Sequence, residues 1–420
     1  MDCVIIGGGV AGMQAALTFR QQWPDKTITL IDTEKEIGYY RTLLPQFINR
    51  TLNEKKLFFW GLEDDPHLKI ISGVRVESID PKNRCLFLND RKKIHYQRLV
   101  IASGGRPIVP DVFSSSHYDG IFPVRSLTLA RQARDWLPAH PEVVVMGGGL
   151  VGVKTAAHLA GHGFSITLIE RENQLLPQAL SKDASRLIQA HLEQKNIQLL
   201  LGNTVEDIQS SGKAIKRVQA NGKWVHCQTL FVAAGSIPEL DLLNDSGLLE
   251  QGRLEVTPAL QTNDKNIFAA GDVITIVKNG HFTPWTWPQA VVQGKLAAEN
   301  LYSPAPMPLC NLSRVNAMNL NGLSFVGLGA PVPGAQKTVY SKPETGIYRE
   351  LFHCDRKIVG GVLIGDISNA GRLHKIMNIN EKIQTDFNEL IKPRIDTFLK
   401  NSPSCARHKR RAAILLPQGV

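Results

Sequence analysis

The sequence has no closely spaced cysteines and no long apolar run. Its six cysteines lie far apart without a C-x-x-C pair, so neither a disulfide framework nor a metal site such as a zinc site is predicted. No run of about 18 apolar residues occurs, so we expect no membrane-spanning helix. The first apolar run, Val4-Ile5-Ile6, starts almost at Met1 and leads straight into glycines, without the pattern of a signal peptide. We therefore expect a cytoplasmic protein.

Positive charge is concentrated near the C-terminus. The formal net charge is +10, and Asp396 is the sole acidic residue within a stretch of seven basic ones. These basic residues are Lys392, Arg394, Lys400, Arg407, Lys409, Arg410 and Arg411. Such a surface could attract an acidic redox partner or the inner face of an anionic membrane, and a solvated tail is the simpler alternative. The run lacks interleaved aromatic residues, so nucleic-acid binding is not expected.

A first glycine-rich loop joins a predicted strand to a predicted helix. Residues 3–6 lead into Gly7-x-Gly9-x-x-Gly12, and a second strand ends at Asp32, 20 residues after Gly12. The first glycine permits a tight turn, the second lets a pyrophosphate approach the backbone, and the third lets the helix pack closely. The helix N-terminus favours phosphate, and Asp32 is placed to bind a ribose. This loop is predicted to bind a dinucleotide.

The same unit recurs 140 positions later along the chain. Residues 143–146 lead into Gly147-x-Gly149-x-x-Gly152, a helix is predicted to about residue 161, and the next strand ends at Glu170. A carboxylate at that position accepts from the ribose 2′-OH of NADH and repels the 2′-phosphate of NADPH, although the following Arg171 could soften this preference. We expect NADH rather than NADPH. Two nucleotides on one chain imply electron transfer between them.

With both loops in place, the chain resembles the pyridine-nucleotide FAD oxidoreductases over roughly residues 1–380. It looks closest to the branch of NADH:rubredoxin reductases and the flavin part of NADH-dependent nitrite reductases. Three further segments carry the likeness: L-V-I-A-S-G-G-R-P at 99–107, F-V-A-A-G-S-I-P at 231–238 and N-I-F-A-A-G-D at 266–272. They are similar to the family's crossover, return strand and second flavin motif. The resemblance implies FAD on the first loop and NADH on the second.

The resemblance also implies roles for single residues. Asp272 would bind the ribityl chain of FAD, Arg41 and Arg125 would contact the flavin nucleotide, and Pro288 would begin a helix that points at the flavin ring. The dipole of that helix would stabilise negative charge on reduced flavin. The predicted cofactor-binding residues are Gly7, Gly9, Val10, Ala11, Gly12, Asp32, Arg41, Val76, Ala102, Gly104, Arg125, Gly147, Gly149, Leu150, Val151, Gly152, Glu170, Gly235, Gly271, Asp272, Pro288 and Ala290.

The implied fold class is α/β, with two Rossmann-like three-layer dinucleotide-binding domains and a small α+β C-terminal domain. The FAD domain takes residues 1–108 and 240–305, and the NAD domain, 109–239, is inserted between them. The C-terminal interface domain covers 306–380, where alternating polar and apolar residues suit an antiparallel sheet. A C-terminal helix and basic tail cover 381–420. We expect a monomer or a homodimer.

Three departures from the family's patterns bear on the chemistry. Disulfide reductases and peroxidases of this superfamily carry cysteine beside the flavin, but residues 31–52 contain none. Many relatives have a lysine where Gln46 stands, and many have a glutamate where Lys154 stands, two residues after Gly152. We hypothesise that Lys154 faces the cofactor cleft, favours negative charge there and acts in catalysis.

The predicted reaction is hydride transfer from NADH to flavin N5, followed by electron transfer without a redox-active cysteine. The leading acceptor is a small acidic protein of the rubredoxin or ferredoxin type. One alternative is a quinone-reducing dehydrogenase on the membrane surface, because Phe387, Leu390, Ile391, Ile395 and Phe398 recur at helical spacing beside the basic tail. Another is a scaffold protein that senses NADH without turnover.

Overall fold

The structure is a computed structural model that describes residues 1–59, 65–110, 113, 118–278, 281–282, 286–309, 313–330 and 332–393. The basic tail beyond Pro393, with Ile395 and Phe398, lies outside the described residues, as do Cys310 and Cys405. The chain forms two compact units, Met1–Met146 with Glu206–Cys310 and Gly147–Val205 with Asn311–Val420. The domain boundaries at 108, 239 and 305 stay a prediction.

The described secondary structure is as follows. The helices are α1 (Val10–Gln22), α2 (Leu44–Ile48), α3 (Leu127–Trp136), α4 (Leu150–Leu159), α5 (Lys182–Gln194), α6 (Trp287–Asn300), α7 (Ala370–Ile379) and α8 (Phe387–Leu390). The strands of the first half are β1 (Cys3–Ile6), β2 (Ile28–Asp32), β3 (Leu68–Ser72), β4 (Val76–Asp80), β5 (Cys85–Leu88), β6 (Lys93–His95), β7 (Arg98–Ile101), β8 (Gly105–Pro107), β9 (Ile121–Pro123), β10 (Glu142–Met146), β11 (Ser165–Glu170), β12 (Ile197–Leu201), β13 (Val205–Ser211) and β14 (Ala214–Ala220). The remaining strands are β15 (Lys223–His226), β16 (Thr229–Val232), β17 (Ser236–Pro238), β18 (Leu254–Glu255), β19 (Ile267–Ala269), β20 (Ile274–Thr275), β21 (Val277–Lys278), β22 (His281–Phe282), β23 (Val315–Asn319), β24 (Ser324–Gly329), β25 (Gln336–Lys342), β26 (Ile347–Cys354) and β27 (Lys357–Ile364).

The first unit is built on a five-stranded sheet in the order β19-β7-β1-β2-β3. All four pairings are parallel. Every residue of β1 and β19 is buried, as expected for strands covered on both faces, which is why they are apolar without alternation. The carboxyl ends of these parallel strands meet at one edge of the sheet, and the first glycine loop leaves β1 at that edge.

Two helices, α1 and α6, pack unusually closely against this sheet and each other. Gly294 lies in α6, and a Cβ on it would fall 2.0 Å from the carbonyl oxygen of Ala11 in α1. Only glycine permits this approach, because any side chain there would occupy the position of a backbone atom. Helices α1 and α6 can therefore pack this closely because Gly294 has no side chain.

The crossover and return segments of the first unit pair with each other. Strand β8 lies antiparallel to β17, with Ser236 opposite Pro107 and Pro238 opposite Gly105. These are the segments predicted to leave and re-enter the flavin domain. A second parallel group in the same unit joins β16 to both β10 and β9.

The second unit contains the helices and strands that follow the second glycine loop, together with the C-terminal sheet. Strand β11 pairs in parallel with β12. The C-terminal sheet is antiparallel, in the order β23-β24-β27-β26-β25, and α7 contributes Leu373 and Met377 to its core. The predicted α/β class, with parallel dinucleotide-binding sheets and an antiparallel C-terminal sheet, is confirmed.

Helix boundaries differ slightly from the predicted ones for local reasons. Helix α1 begins at Val10 rather than near Gly12, because Gly9 is its N-cap. Helix α4 ends at Leu159, two residues before Gly161, whose φ of 81° leaves the helical region.

Phe387, Leu390 and Ile391, which an interfacial helix would turn towards lipid, are buried in the core of the C-terminal sheet. Among the described helices none is long and apolar enough to cross a membrane.

Candidate functional site

The first glycine loop has the geometry of a phosphate cradle. Gly7 has a φ of 104°, and a Cβ on it would meet the carbonyl oxygen of Ala102 at 2.1 Å. A Cβ on Gly12 would lie 1.8 Å from the carbonyl oxygen of Gly7. In contrast, a Cβ on Gly9 would meet no atom within 4 Å. The packing of the protein backbone therefore requires glycine at positions 7 and 12. At Gly9 no protein atom fills the space beside the Cα, so a ligand can approach the backbone there.

The N-terminus of α1 faces this open space. Its first intrahelical hydrogen bond runs from the Met13 N–H to the Gly9 carbonyl at 2.9 Å. The N–H groups of Val10, Ala11 and Gly12 precede that bond, so they are the orphan donors of a helix start. Three donors and the positive end of the helix dipole favour an anion such as a phosphate at this helix N-terminus.

Asp32, at the end of β2, stands beside the loop. Its Oδ2 accepts a hydrogen bond from the Gly8 N–H and its Oδ1 accepts one from the Glu34 N–H at 2.6 Å. Burial raises the pKa of Asp32, and the two N–H donors oppose that effect. Asp32, the residue predicted to bind the ribose, is thus held at the loop by two backbone N–H groups.

Arg41, Arg125 and Asp272 come together in the first unit, from three distant parts of the chain. Arg41 Nη1 donates to the Arg125 carbonyl at 2.7 Å. Arg125 Nη2 lies 3.4 Å from Asp272 Oδ2. Burial lowers the pKa of Arg125, Arg41 lowers it further, and Asp272 opposes both. Arg41 pairs with Glu34 and Arg125 with Asp272, and the two half-buried guanidinium groups keep further N–H donors for a phosphate or a polar ring.

The second flavin motif and α6 are joined through a buried glutamine. The Gly271 N–H donates to Gln293 Oε1 at 2.8 Å. Gly271 has a φ of 84°, and a Cβ on it would sit 3.0 Å from the Cβ of Ala11. Pro288 lies in the first turn of α6, and Ala290, two residues later, is buried. The N-terminus of α6 is therefore fixed relative to the first loop.

The remaining predicted residues of the first unit lie on several other strands and turns. Ala102 follows β7, and its N–H donates to the Ile6 carbonyl at 2.7 Å. A Cβ on Gly104, at φ 74°, would lie 3.3 Å from Arg125 Nη2, which places Gly104 beside the arginine cluster. Val76 begins β4 and is buried, and Gly235 has a φ of 104° just before β17.

The second glycine loop repeats the first in the second unit. Gly147 has a φ of 109°, and Gly149 is the N-cap of α4 with a φ of −77°. A Cβ on Gly149 would meet nothing within 4 Å, as at Gly9. Leu150, Val151 and Gly152 form the first turn, ahead of the bond from the Val153 N–H to the Gly149 carbonyl at 2.9 Å. The same open cradle is therefore present twice.

Glu170 takes the place that Asp32 has in the first unit. It accepts hydrogen bonds from the Gly148 N–H and, at 2.8 Å, from the Glu172 N–H. Glu170 is buried, whereas the side chain of Arg171 is exposed and pairs with Glu172 at 3.4 Å. The Glu170 carboxylate is thus held at the loop by two backbone N–H groups, whereas Arg171 forms an exposed ion pair with Glu172.

Lys154 is buried, with 6% of its surface exposed, although it carries an ammonium group. Burial lowers its pKa to about 8, and no carboxylate among the described residues offsets that effect. His158, one turn later on α4, bonds through Nε2 with the Asn319 carbonyl at 3.2 Å. Burial first, and then the charge of Lys154, lower the pKa of His158 to about 4. The imidazole is therefore neutral at pH 7, and within the part of the chain that the structure describes no counter-charge faces the ammonium beside it.

We expect Lys154→Met to stabilise the ligand-free protein at pH 7 by about 1–3 kcal/mol, because an unpaired buried charge is removed. The folded-state pKa of about 8 lies below the ordinary value of 10.5. Between these two pH values Lys154 therefore keeps its proton in the unfolded chain but loses it in the folded one. The free energy of unfolding of the wild type should therefore rise with pH from about 8 to about 10.5, and the gain from the substitution should shrink over that window. Urea unfolding at pH 7 and pH 10.5 measures both effects. The exposed helical Lys375→Met is the control, and equal pH dependence in all three proteins would contradict the assignment.

No described cysteine stands beside the two loops as a redox thiol. Cys3 and Cys227 are buried in strand regions, and Cys85 is buried in β5. Burial raises the pKa of Cys227 to about 12 and that of Cys3 beyond the normal range. Both thiols stay protonated and unreactive at neutral pH. Within the described residues no group of three or more histidine, cysteine or acidic side chains is arranged to hold a metal ion.

The sequence reasoning missed several residues that build the first site. Glu34 and Tyr39 contact Arg41, and Gln293 supports Gly271. The N–H of Gly8 orients the acid at the end of β2. Gly8, the middle glycine of the run at 7–9, was a usable signal, and so was the tyrosine two residues before Arg41. Nothing in the local sequence marks Gln293.

Comparisons with known proteins agree with this geometry. The family profile of the pyridine nucleotide-disulphide oxidoreductases matches residues 1–294, and that of the rubredoxin NAD⁺ reductase C-terminal domain matches residues 315–381. A protein named NADH oxidase from Methanocaldococcus jannaschii is 26% identical over 89% of each chain. An NADH-rubredoxin oxidoreductase from Clostridium acetobutylicum is 24% identical over 89% of this chain and 94% of that one.

A solved structure shares the fold at low sequence identity. The covalent putidaredoxin reductase–putidaredoxin complex superposes with a TM-score of 0.84 at 19% identity, over 91% of this chain and 94% of that one. The likeness predicted from the two glycine loops and the flavin motifs is confirmed. With a profile match over residues 1–294 and both loops formed as described, this chain belongs to the pyridine nucleotide-disulphide oxidoreductase family.

Proposed function

We propose that FAD binds the first loop, that NADH binds the second, and that electrons pass from NADH through the flavin to a rubredoxin- or ferredoxin-type protein. The protein is an FAD-dependent NADH oxidoreductase. The observation that carries the proposal is the repeated cradle: Gly9 and Gly149 each leave open space at a helix N-terminus beside a fixed carboxylate. Named relatives that are NADH oxidases and rubredoxin reductases support it.

The residues of the first unit fit FAD. The α1 N-terminus would hold the pyrophosphate, Asp32 the adenosine ribose, and Asp272 the ribityl chain. Arg41 and Arg125 would contact the flavin nucleotide. FAD, when bound, supplies an electron sink that accepts a hydride and releases electrons one or two at a time. The chain's own work is to orient the two cofactors and to exclude competing reactions.

The residues of the second unit fit NADH. The α4 N-terminus would hold the pyrophosphate, and Glu170 would accept from the ribose 2′-OH while repelling a 2′-phosphate. Lys154 follows on the same helix and lacks a described carboxylate partner. We assign its partner to the bound nicotinamide nucleotide, so that the ammonium favours negative charge at the cofactor. On this assignment Lys154→Met weakens NADH binding while it stabilises the ligand-free protein.

The acceptor is the part of the proposal that a direct experiment decides. The FAD-loaded protein is reduced with NADH in a stopped-flow instrument and then mixed with a rubredoxin, a [2Fe–2S] ferredoxin or a neutral quinone. We expect the small acidic proteins to be reduced far faster than by free FAD. Their kcat/KM should fall several-fold between 50 and 500 mM salt, because a net charge of +10 attracts an acidic carrier.

The neutral quinone is the matched control, since salt should leave its rate unchanged. Fast reduction of the quinone with slow reduction of both proteins would favour the quinone dehydrogenase. Rates no higher than those of free FAD with every acceptor would favour a sensor without turnover.

A further inference from the structure

Tyr39 occupies a central position among the residues of the first site. Its hydroxyl donates to Glu34 Oε2 at 2.6 Å, accepts from Arg41 Nη1 at 2.7 Å and accepts from the Leu127 N–H at 3.1 Å. A phenol has one proton to donate and two lone pairs to accept with, so all its capacity is used. Each direction is fixed, because a carboxylate only accepts and the other two partners only donate.

The tyrosine is held in place by its surroundings. Only 4% of its surface is exposed, and its ring packs edge-on against Phe58 with centroids 6.2 Å apart. The Arg41 guanidinium carbon lies 4.9 Å from the centroid of the Tyr39 ring. Burial raises the pKa of Tyr39, so the hydroxyl keeps its proton at any physiological pH.

Its three partners lead to both arginines of the predicted flavin site. Arg41 is held by Tyr39, by Glu34 Oε1 at 2.7 Å and by the Arg125 carbonyl at 2.7 Å. Leu127 is the first residue of α3, two positions after Arg125, and its N–H is one of the helix's orphan donors. One hydroxyl thus ties the Arg41 turn to the segment that carries Arg125.

We propose that Tyr39 is a positioning residue for FAD, which acts by fixing Arg41 and the Arg125 segment in the geometry that binds the flavin nucleotide. This rests on the proposed FAD site. Without the hydroxyl, the Leu127 N–H loses its buried acceptor and Arg41 keeps only two of its three anchors. Both guanidinium groups would then sample several positions, and FAD would bind to a less preorganised site.

The test compares Tyr39→Phe with Tyr96→Phe. Tyr96 is also 4% exposed and lies in the same unit, but its hydroxyl has no hydrogen-bond partner among the described residues, so its removal controls for the loss of a buried oxygen. Apoprotein is titrated with FAD, and the midpoint potential of the bound flavin is measured. Tyr39→Phe is expected to raise the FAD dissociation constant about tenfold and to shift the midpoint potential, whereas Tyr96→Phe changes neither.

A double-mutant cycle with Arg41→Ala separates positioning from a structural role. Because Tyr39 acts partly through Arg41 and partly through the Arg125 segment, Tyr39→Phe should weaken FAD binding less in the Arg41→Ala background than in the wild type. Additive losses, or a Tyr39→Phe protein with unchanged FAD affinity and potential, would overturn the inference. If Arg41→Ala itself leaves FAD affinity unchanged, the proposed FAD site fails instead.

Glu34→Gln covers the case in which Tyr39→Phe does not fold. The amide keeps an acceptor for the Tyr39 hydroxyl but removes the charge that pairs with Arg41. FAD affinity should then fall less than in Arg41→Ala. A loss as large as that of Arg41→Ala would contradict a role for the hydroxyl in holding Arg41.

Discussion

Replacing Gly294 by alanine is expected to lower the free energy of unfolding of the first unit by about 2–4 kcal/mol and to weaken FAD retention. The new methyl group would fall 2.0 Å from the Ala11 carbonyl oxygen and 2.8 Å from its carbon, so α1 and α6 must move apart. Overpacking in a well-packed interior costs about 1–3 kcal/mol and more when backbone is the obstacle. The usual gain of about 1 kcal/mol for alanine over glycine in a helix offsets only part of it.

Gly371→Ala is the matched control for this experiment. Gly371 also lies inside a helix, α7, but a Cβ there would meet nothing within 4 Å. Alanine at this position should therefore stabilise the protein by about 0.5–1 kcal/mol. Thermal unfolding followed by circular dichroism, with flavin fluorescence to report release of FAD, measures both variants. Equal midpoints for Gly294→Ala and wild type would show that the two helices can separate without cost.

Gly294 also shows where prediction from the sequence ended. The spacing of Gly7, Gly9 and Gly12, with an acid 20 residues later, is local, and it predicted the strand, the turn and the helix of the first unit. The contact between Gly294 and Ala11 joins residues far apart in the chain. No local pattern encodes such a contact, although the resemblance placed a helix at the right position.

Among the polar and charged groups, too, some could be predicted from the local sequence and others only from the fold. Asp32 and Glu170 were found because each ends a strand, 20 and 18 residues after the last glycine of its loop. The burial of Lys154 could not be predicted, since a lysine early in a helix is normally solvated. The hydrogen bonds of Tyr39 depend on Leu127, which the fold brings to it from 88 positions away. Sequence therefore specified the two cradles, and tertiary packing specified what supports them.

Alanine at Gly9 and at Gly149 should remove one nucleotide each and leave the fold intact. Both glycines have ordinary φ values, −72° and −77°, and open space where a methyl group would go. Alanine is a poorer N-cap than glycine, so each variant should lose about 0.5–1 kcal/mol of its free energy of unfolding and remain folded. The methyl group instead occupies the space into which a pyrophosphate must come.

For Gly9→Ala we expect FAD affinity to fall about 100-fold, equivalent to ~2.8 kcal/mol, with a colourless protein after purification. Gly149→Ala should keep its FAD and its visible spectrum, while the KM for NADH rises by a similar factor. Absorbance at the flavin band, FAD titration of the apoprotein and stopped-flow reduction by NADH measure the two losses separately.

The pair of variants is more informative than either alone, because each serves as the folding control of the other. Loss of NADH reduction with retained FAD in Gly9→Ala would reverse the assignment of the two loops. Full retention of both nucleotides in both variants would mean that neither open space holds a phosphate. The expected pattern, in which each methyl group removes only its own nucleotide, requires two independent dinucleotide sites on one chain.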